Sequence, residues 1–141
     1  MIQEARGDRN AAQQEYEKVL ALDPTAGVAA NNLAWMNAES DRLDEALKLA
    51  TVAQAQLKRP EAEVTLGLIY YRKGLLQHAI GPFERAASKA PNNPVYHYHL
   101  GLAQLKQGND AQGRAALKRA LALKPDFNGA EEARKALEET K

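Results

Sequence analysis

The chain has 141 residues, enough for one ordinary domain, with 19 basic and 18 acidic side chains and no cysteine. A net charge near +1 excludes strong, unpatterned attraction to nucleic acid or an anionic membrane, and the lack of cysteine excludes disulfides, thiolate metal sites and a thiol nucleophile. Alanine supplies 27 residues and leucine 18, against 12 for Val, Ile and Thr together, a balance that favours helix over sheet. No apolar run nears the ~18 residues a membrane span needs, and the opening MIQEARGDRN has no apolar centre of the secretory kind.

The predicted elements are helices in pairs. Residues 1–26 form a partial first unit, in which Gly7, Ala12, Tyr16, Val19 and Pro24 match only the second half of a pattern that recurs downstream. On that phase Met1 to about Ala5 is the end of a first helix, and a second helix stops at Leu22-Asp23-Pro24, because the residue before proline avoids α geometry. Residues 27–59 open with Leu33-Ala34 and continue with Ala46, Ala50 and Ala53. Residues 60–93 carry Leu66, Ile69, Tyr70 and Lys73, then Ala79, Phe83, Ala86 and Ala87, each set at helical spacing. Residues 94–126 repeat this at an offset of 34: Leu66-Gly67 falls on Leu100-Gly101, Gly74 on Gly108, Phe83 on Leu117, Ala86 on Ala120 and Pro91 on Pro125. Breaks such as Lys73-Gly74 and Gln107-Gly108-Asn109-Asp110 end one helix with glycine and offer Asn or Asp to cap the next.

Each unit is therefore expected to be an antiparallel helix hairpin. Small residues at 34, 67 and 101 face those at 46, 79 and 113, so that the two helices approach closely. Residues 127–141 supply a terminal helix and tail, with Ala130, Ala133, Ala136 and Leu137 on one face to cover the last unit. Tyr16, Val19 and Leu20 are left on an open N-terminal edge. Gly81-Pro82 falls inside a helix; an interior proline costs roughly 3 kcal/mol and leaves the carbonyl four residues back without its partner. A bend near Ala79 to Phe83 is predicted.

The pattern resembles the tetratricopeptide repeat family, in which Leu-Gly, an aromatic, Gly, Ala, an aromatic, Ala and Pro are spread over 34 residues. Leu66, Gly67, Tyr70, Gly74, Ala79, Phe83, Ala86 and Pro91 carry the likeness, and so do Leu100, Gly101, Gly108, Leu117, Ala120 and Pro125. The unit at 27–59 departs from it: Asn37 stands for the aromatic, Asp41 for the turn glycine and Ala50 for the second-helix aromatic, and the final proline is missing. The segments NNLAW and LDEALKLA are similar to bacterial members of envelope, secretion and polysaccharide assembly. The resemblance implies an all-α, right-handed solenoid of about 3.5 repeats plus a capping helix.

It also implies a groove lined by the first helices. Its positions carry over to Val28, Asn31, Asn32, Trp35 and Glu39; to Glu61, Val64, Thr65, Leu68, Tyr71 and Arg72; and to Val95, Tyr98, His99, Leu102, Leu105 and Lys106. On periodicity alone a Trp or Tyr on a helix is more often core than contact; the repeat phase instead puts Trp35, Tyr71 and Tyr98 on a recognition surface. Tyr70 and Tyr71 are adjacent, so with Tyr70 in the hairpin Tyr71 faces the groove. Chaperone-binding members hold a C-terminal carboxylate with a Lys, Asn and Arg clamp. Asn32 matches its Asn, but Glu61 and Thr65 replace its later cations, so the clamp is expected to be absent.

Catalytic chemistry finds no support in the residue pattern. His97 and His99 point ~200° apart on a helix and cannot share a metal. His97 falls at a hairpin-packing position and His99 in the groove, while His78 stands apart. Glu131-Glu132, Glu138-Glu139 and Asp41, Asp44 and Glu45 sit at helix starts or on polar faces, and the glycines build no phosphate loop. The cations are dispersed among acids, without the stripe and stacking aromatics of an RNA site. The expectation is a non-catalytic module with no cofactor and no metal. Its partner is a protein or peptide, not nucleic acid, and the chain is not an integral membrane protein. The rival readings are a homodimer or longer solenoid joined through Tyr16, Val19 and Leu20, and an accessory segment of a larger enzyme or assembly protein.

Overall fold

The structure is a computed structural model that describes residues 2–140. Met1, placed by the sequence in a helix remnant, and Lys141, placed in the tail, lie outside the described residues. The described residues form eight α-helices and no strand: α1 (Ile2–Leu22), α2 (Gly27–Glu39), α3 (Leu43–Leu57), α4 (Pro60–Arg72), α5 (Leu76–Lys89), α6 (Pro94–Lys106), α7 (Asp110–Leu123) and α8 (Ala130–Glu139). The chain divides into two compact units, Met1–Lys58 and Arg59–Lys141.

In the first unit α1 packs on α2, and α2 pairs with α3. Arg9, two turns into α1, reaches Glu39 at the end of α2 (3.4 Å) and donates to the carbonyl of Met36 (3.4 Å). Ala30, Ala34, Ala46, Ala50 and Ala53 are fully enclosed, so small side chains bring α2 and α3 together, as the repeat phase predicts. The turn expected near Gly7 is not formed: α1 is one continuous helix across it. Glycine permits a turn without enforcing one, and helix-forming residues on both sides carry the helix through.

In the second unit α4 and α5 form a hairpin, α6 and α7 another, and α8 closes on α7. Helix α6 packs antiparallel on α5, with Ala79 and Phe83 of α5 and Ala103 of α6 in one cluster. Helices α4, α6 and α8 are consequently parallel, and each touches the next. The close approaches rest on glycine. A Cβ at Gly67 would lie 2.6 Å from the Phe83 ring, and one at Gly101 would lie 2.9 Å from the Gly113 carbonyl.

The three hairpin turns use one device. The first helix ends with a left-handed residue, Asp41 (φ 62°), Gly74 (φ 78°) or Gly108 (φ 91°). The next N–H then closes back on the helix: Arg42 on the Asn37 carbonyl (2.8 Å), Leu75 on Tyr70 (2.9 Å) and Asn109 on Gln104 (2.8 Å). Asp41 thus takes the turn position that glycine holds in the other two. The side-chain cap expected from Asn109 is not made; the helix-capping Asn is Asn93, whose Oδ1 accepts from the Val95 N–H at 3.0 Å. Helix α5 runs unbroken through the buried Pro82.

The terminal helix begins at Ala130, later than the Phe127 start that the apolar pattern suggests, because Gly129 turns the chain with φ 119°. Phe127 instead sits buried with Leu117, Ala120, Ala130 and Ala133. Arg114 of α7 donates to the Leu137 carbonyl (2.6 Å) and to Thr140 Oγ1 (2.9 Å), which ties down the C-terminal end of α8.

Candidate functional site

In the second unit the repeat phase assigns Leu68, Tyr71 and Arg72 of α4 and Tyr98, His99, Leu102 and Lys106 of α6 to the groove. Leu68, Tyr71, Tyr98, His99 and Leu102 are half-buried, while Arg72 and Lys106 are exposed. Lys106 Nζ stands 4.9 Å from the Tyr71 ring centroid, a cation over an aromatic face. Tyr70 turns to the other side and meets the His78 ring at 5.3 Å. Both tyrosines also pack against the cluster of Ala79, Phe83 and Ala103.

Two residues assigned to this surface, Thr65 and His99, are committed to packing, and Tyr98 is so in part. Thr65 is buried, and its hydroxyl donates to the Glu61 carbonyl at 2.9 Å, so it does not line a groove. A short side chain on α4 cannot rise past its larger neighbours. Tyr98 packs edge-on against Phe127 at 5.4 Å and lies against Gly129, so only part of it faces outward. Burial, then the Glu132 carboxylate and Tyr71, push the Tyr98 phenol above its ordinary value. His99 stacks on Phe83 at 5.6 Å between rings, and burial pulls it down from 6.5 to about 4, so it is a neutral packing group at pH 7.

In the first unit Trp35 is 42% exposed on α2, beside the half-buried Asn31 and Asn32. Glu39 is engaged by Arg9. Tyr16 and Val19 of α1 line a shallow, almost wholly apolar hollow of about 400 Å³ with Ala26, Gly27, Val28, Ala29 and Leu57. Leu20, expected on this edge, is half-buried outside that lining, whereas Val28 at 55% exposure is part of it.

The pattern of the sequence gave no sign of Glu63. Its carboxylate is enclosed in the α4–α5 hairpin, 3.0 Å from Arg85 Nε and 3.6 Å from Lys89 Nζ. The pairing spans 22 and 26 positions, beyond any local spacing rule. His97 Nε2 lies 2.8 Å from the Pro91 carbonyl, in keeping with a packing role. Among the described residues no group of three or more His, Asp or Glu is placed to hold a metal ion, and no helix is long and apolar enough to cross a membrane.

The family model described as "Anaphase-promoting complex, cyclosome, subunit 3" matches residues 39–120, and the one described as "Tetratricopeptide repeat" matches residues 2–59. No curated protein matches the sequence significantly. Among solved structures, MamA is 22% identical with a TM-score of 0.80, covering 97% of this chain and 84% of that one. The type III secretion translocator chaperone SycD of Yersinia enterocolitica is 21% identical with a TM-score of 0.73, covering 79% of this chain and 80% of that one. The first tetratricopeptide domain of Spaghetti, bound to an HSP90 peptide, is 16% identical with a TM-score of 0.75, covering 81% of this chain and 89% of that one. At these identities the likeness is one of fold, the stacked-hairpin α-solenoid that the repeat phase implies.

Proposed function

We propose, from the premise that the chain belongs to the tetratricopeptide-repeat family, that it is a non-catalytic docking module that holds a peptide or helical segment of another protein on its first helices. Repeats of this family are protein-interaction modules. The observation that carries the reading here is the half-buried apolar strip of Leu68, Tyr71 and Leu102 on adjacent helices, with Lys106 set over Tyr71. Such a strip is rigid before a partner arrives, so little ordering entropy opposes binding on this side. Trp35 with Asn31 and Asn32 is the corresponding candidate surface of the first unit.

The Spaghetti domain binds an HSP90 peptide, but Glu61 and the buried Thr65 stand where a carboxylate clamp needs cations, so a peptide carboxylate terminus is not the proposed ligand here. The test is recovery of partners from the source cells with the wild-type chain beside Tyr71→Ala, Lys106→Glu and Trp35→Ala variants, followed by calorimetric titration of whatever is recovered. Loss of affinity of about tenfold or more in one of these variants supports the reading, since buried aromatic anchors are typical hot spots. Equal binding by all would place the partner elsewhere.

A second reading has its own observation. The apolar hollow at Tyr16, Val19, Val28 and Leu57 offers a surface for self-association. Sedimentation equilibrium of the wild type and a Val19→Glu, Val28→Glu variant tests it: a dimer dispersed by the charges supports it, and a monomer in both removes it.

A further inference from the structure

The exposed side of the second unit is electrically polar along its helices. Because α4, α6 and α8 run parallel, their starts share one end of the face and their last turns the other. Glu61 stands in the first turn of α4 and Glu132 in the first turn of α8. Arg72 and Lys106 stand in the last turns of α4 and α6. Tyr71 and the outward part of Tyr98 lie between; Lys106 reaches over Tyr71, the Glu132 carboxylate helps to raise the Tyr98 phenol and Glu61 that of Tyr96 on the same helix. An aromatic strip is thus bounded by acid at one end and base at the other.

We infer that this face takes an amphipathic helix of another protein lying antiparallel to α6, with Asp or Glu in its first turns, Lys or Arg in its last, and an apolar stripe between. The inference rests on the docking reading above and names its partner. For that charge order an antiparallel helix sets its acidic start on Arg72 and Lys106 and its basic end on Glu61 and Glu132. A parallel one sets like on like at both ends. A helix of the reverse charge order pairs the same charges by lying parallel, so the helix dipoles decide between the two: only in the antiparallel arrangement does the positive start of the incoming helix meet the negative ends of α4 and α6.

The test uses the intact chain and three stapled helical probes of about 18 residues with the same leucine stripe, so that helicity does not differ between them. One probe carries Glu in its first half and Lys in its second, one carries the reverse, and one carries Gln throughout. In fluorescence anisotropy at about 20 mM salt the Glu-then-Lys probe is expected to bind roughly threefold tighter than its reverse, which pairs its charges only by lying parallel against the helix dipoles, and the gap to close by about 0.5 M salt. A quadruple variant, Glu61→Lys, Arg72→Glu, Lys106→Glu and Glu132→Lys, should invert the order; if it does not fold, the exposed Lys106→Glu alone should narrow the gap.

Equal affinity for both charged probes, with the Gln probe also bound, overturns the directional inference and leaves the docking reading intact. Failure of all three probes at any salt, or binding indifferent to Tyr71→Ala, overturns both. A wild-type dimer in sedimentation that Lys106→Glu disperses would show that a second copy covers this face, and would overturn the choice of occupant.

Discussion

Gly101→Ala tests the packing on which the second unit depends. An added Cβ would sit 2.9 Å from the Gly113 carbonyl oxygen and 2.8 Å from Leu117 Cδ2. The carbonyl belongs to the backbone of α7, and Leu117 is fully enclosed among Ala120, Phe127 and Ala133, so neither can step aside freely. The helices must move apart or the leucine must leave its rotamer. Overpacking of this kind costs about 1–3 kcal/mol, while alanine in place of glycine within a helix returns up to ~1 kcal/mol. The net expectation is destabilisation of about 1–2 kcal/mol, a fall in Tm of roughly 4 °C for each kcal/mol at this size. Gly7→Ala is the control. It lies in α1 with nothing within 4 Å of an added Cβ, so only the propensity gain remains and stability should rise by up to ~1 kcal/mol. Thermal and urea unfolding followed by circular dichroism measure both. If Gly101→Ala matches or exceeds the wild type while Gly7→Ala gains, the close-approach reasoning is wrong.

Three further outcomes are expected. His99 titrates at about 4 in the folded chain and near 6.5 unfolded, so the unfolded state binds the proton first: its contribution is complete above 6.5 and is lost as pH falls toward 4, by about 3 kcal/mol there. The stability difference between wild type and His99→Phe, measured by urea unfolding from pH 7 to pH 4, should follow that slope; a difference independent of pH contradicts it. Arg114→Ala removes the donor to the Leu137 carbonyl and Thr140 and should speed amide exchange in α8 while leaving α4 and α5 unchanged, consistent with ~1–2 kcal/mol of local stability. Asp41→Gly relieves a left-handed non-glycine residue and should raise stability by about 0.5–1 kcal/mol in thermal unfolding; a loss would mean that the Asp side chain itself holds the turn.

Much of the fold is legible because it is periodic. The offset of 34 between Gly74 and Gly108 marks two like left-handed turns, and the same step of eight, from Leu33 as from Leu66 and Leu100, places Asp41 in a third, in a unit one residue shorter. The facing pair of Gly101 and Gly113 is likewise readable, since only small residues allow that approach. The failures share a cause. Tyr98 sits at a groove position by phase, yet Phe127, outside the repeat, packs against it. Glu63 reads as an ordinary acidic residue in a helix's first turn, where the dipole favours it, while its burial with Arg85 and Lys89 is a matter of tertiary geometry. At Gly7 the repeat phase pointed to a turn, but glycine only allows one. Val28 and Leu57 join Tyr16 and Val19 in the apolar hollow because three helices meet there, which no single helical pattern displays.

The most direct measurement is site-specific photo-crosslinking in the source cells. A benzophenone side chain is placed at Leu68 or Leu102 on the first helices, and at Glu84 or Lys118, which are exposed on α5 and α7. Crosslinks to one polypeptide from Leu68 and Leu102, and none from Glu84 or Lys118, are expected. Crosslinks that arise only from Glu84 and Lys118, or equally from all four, would contradict docking on the first helices.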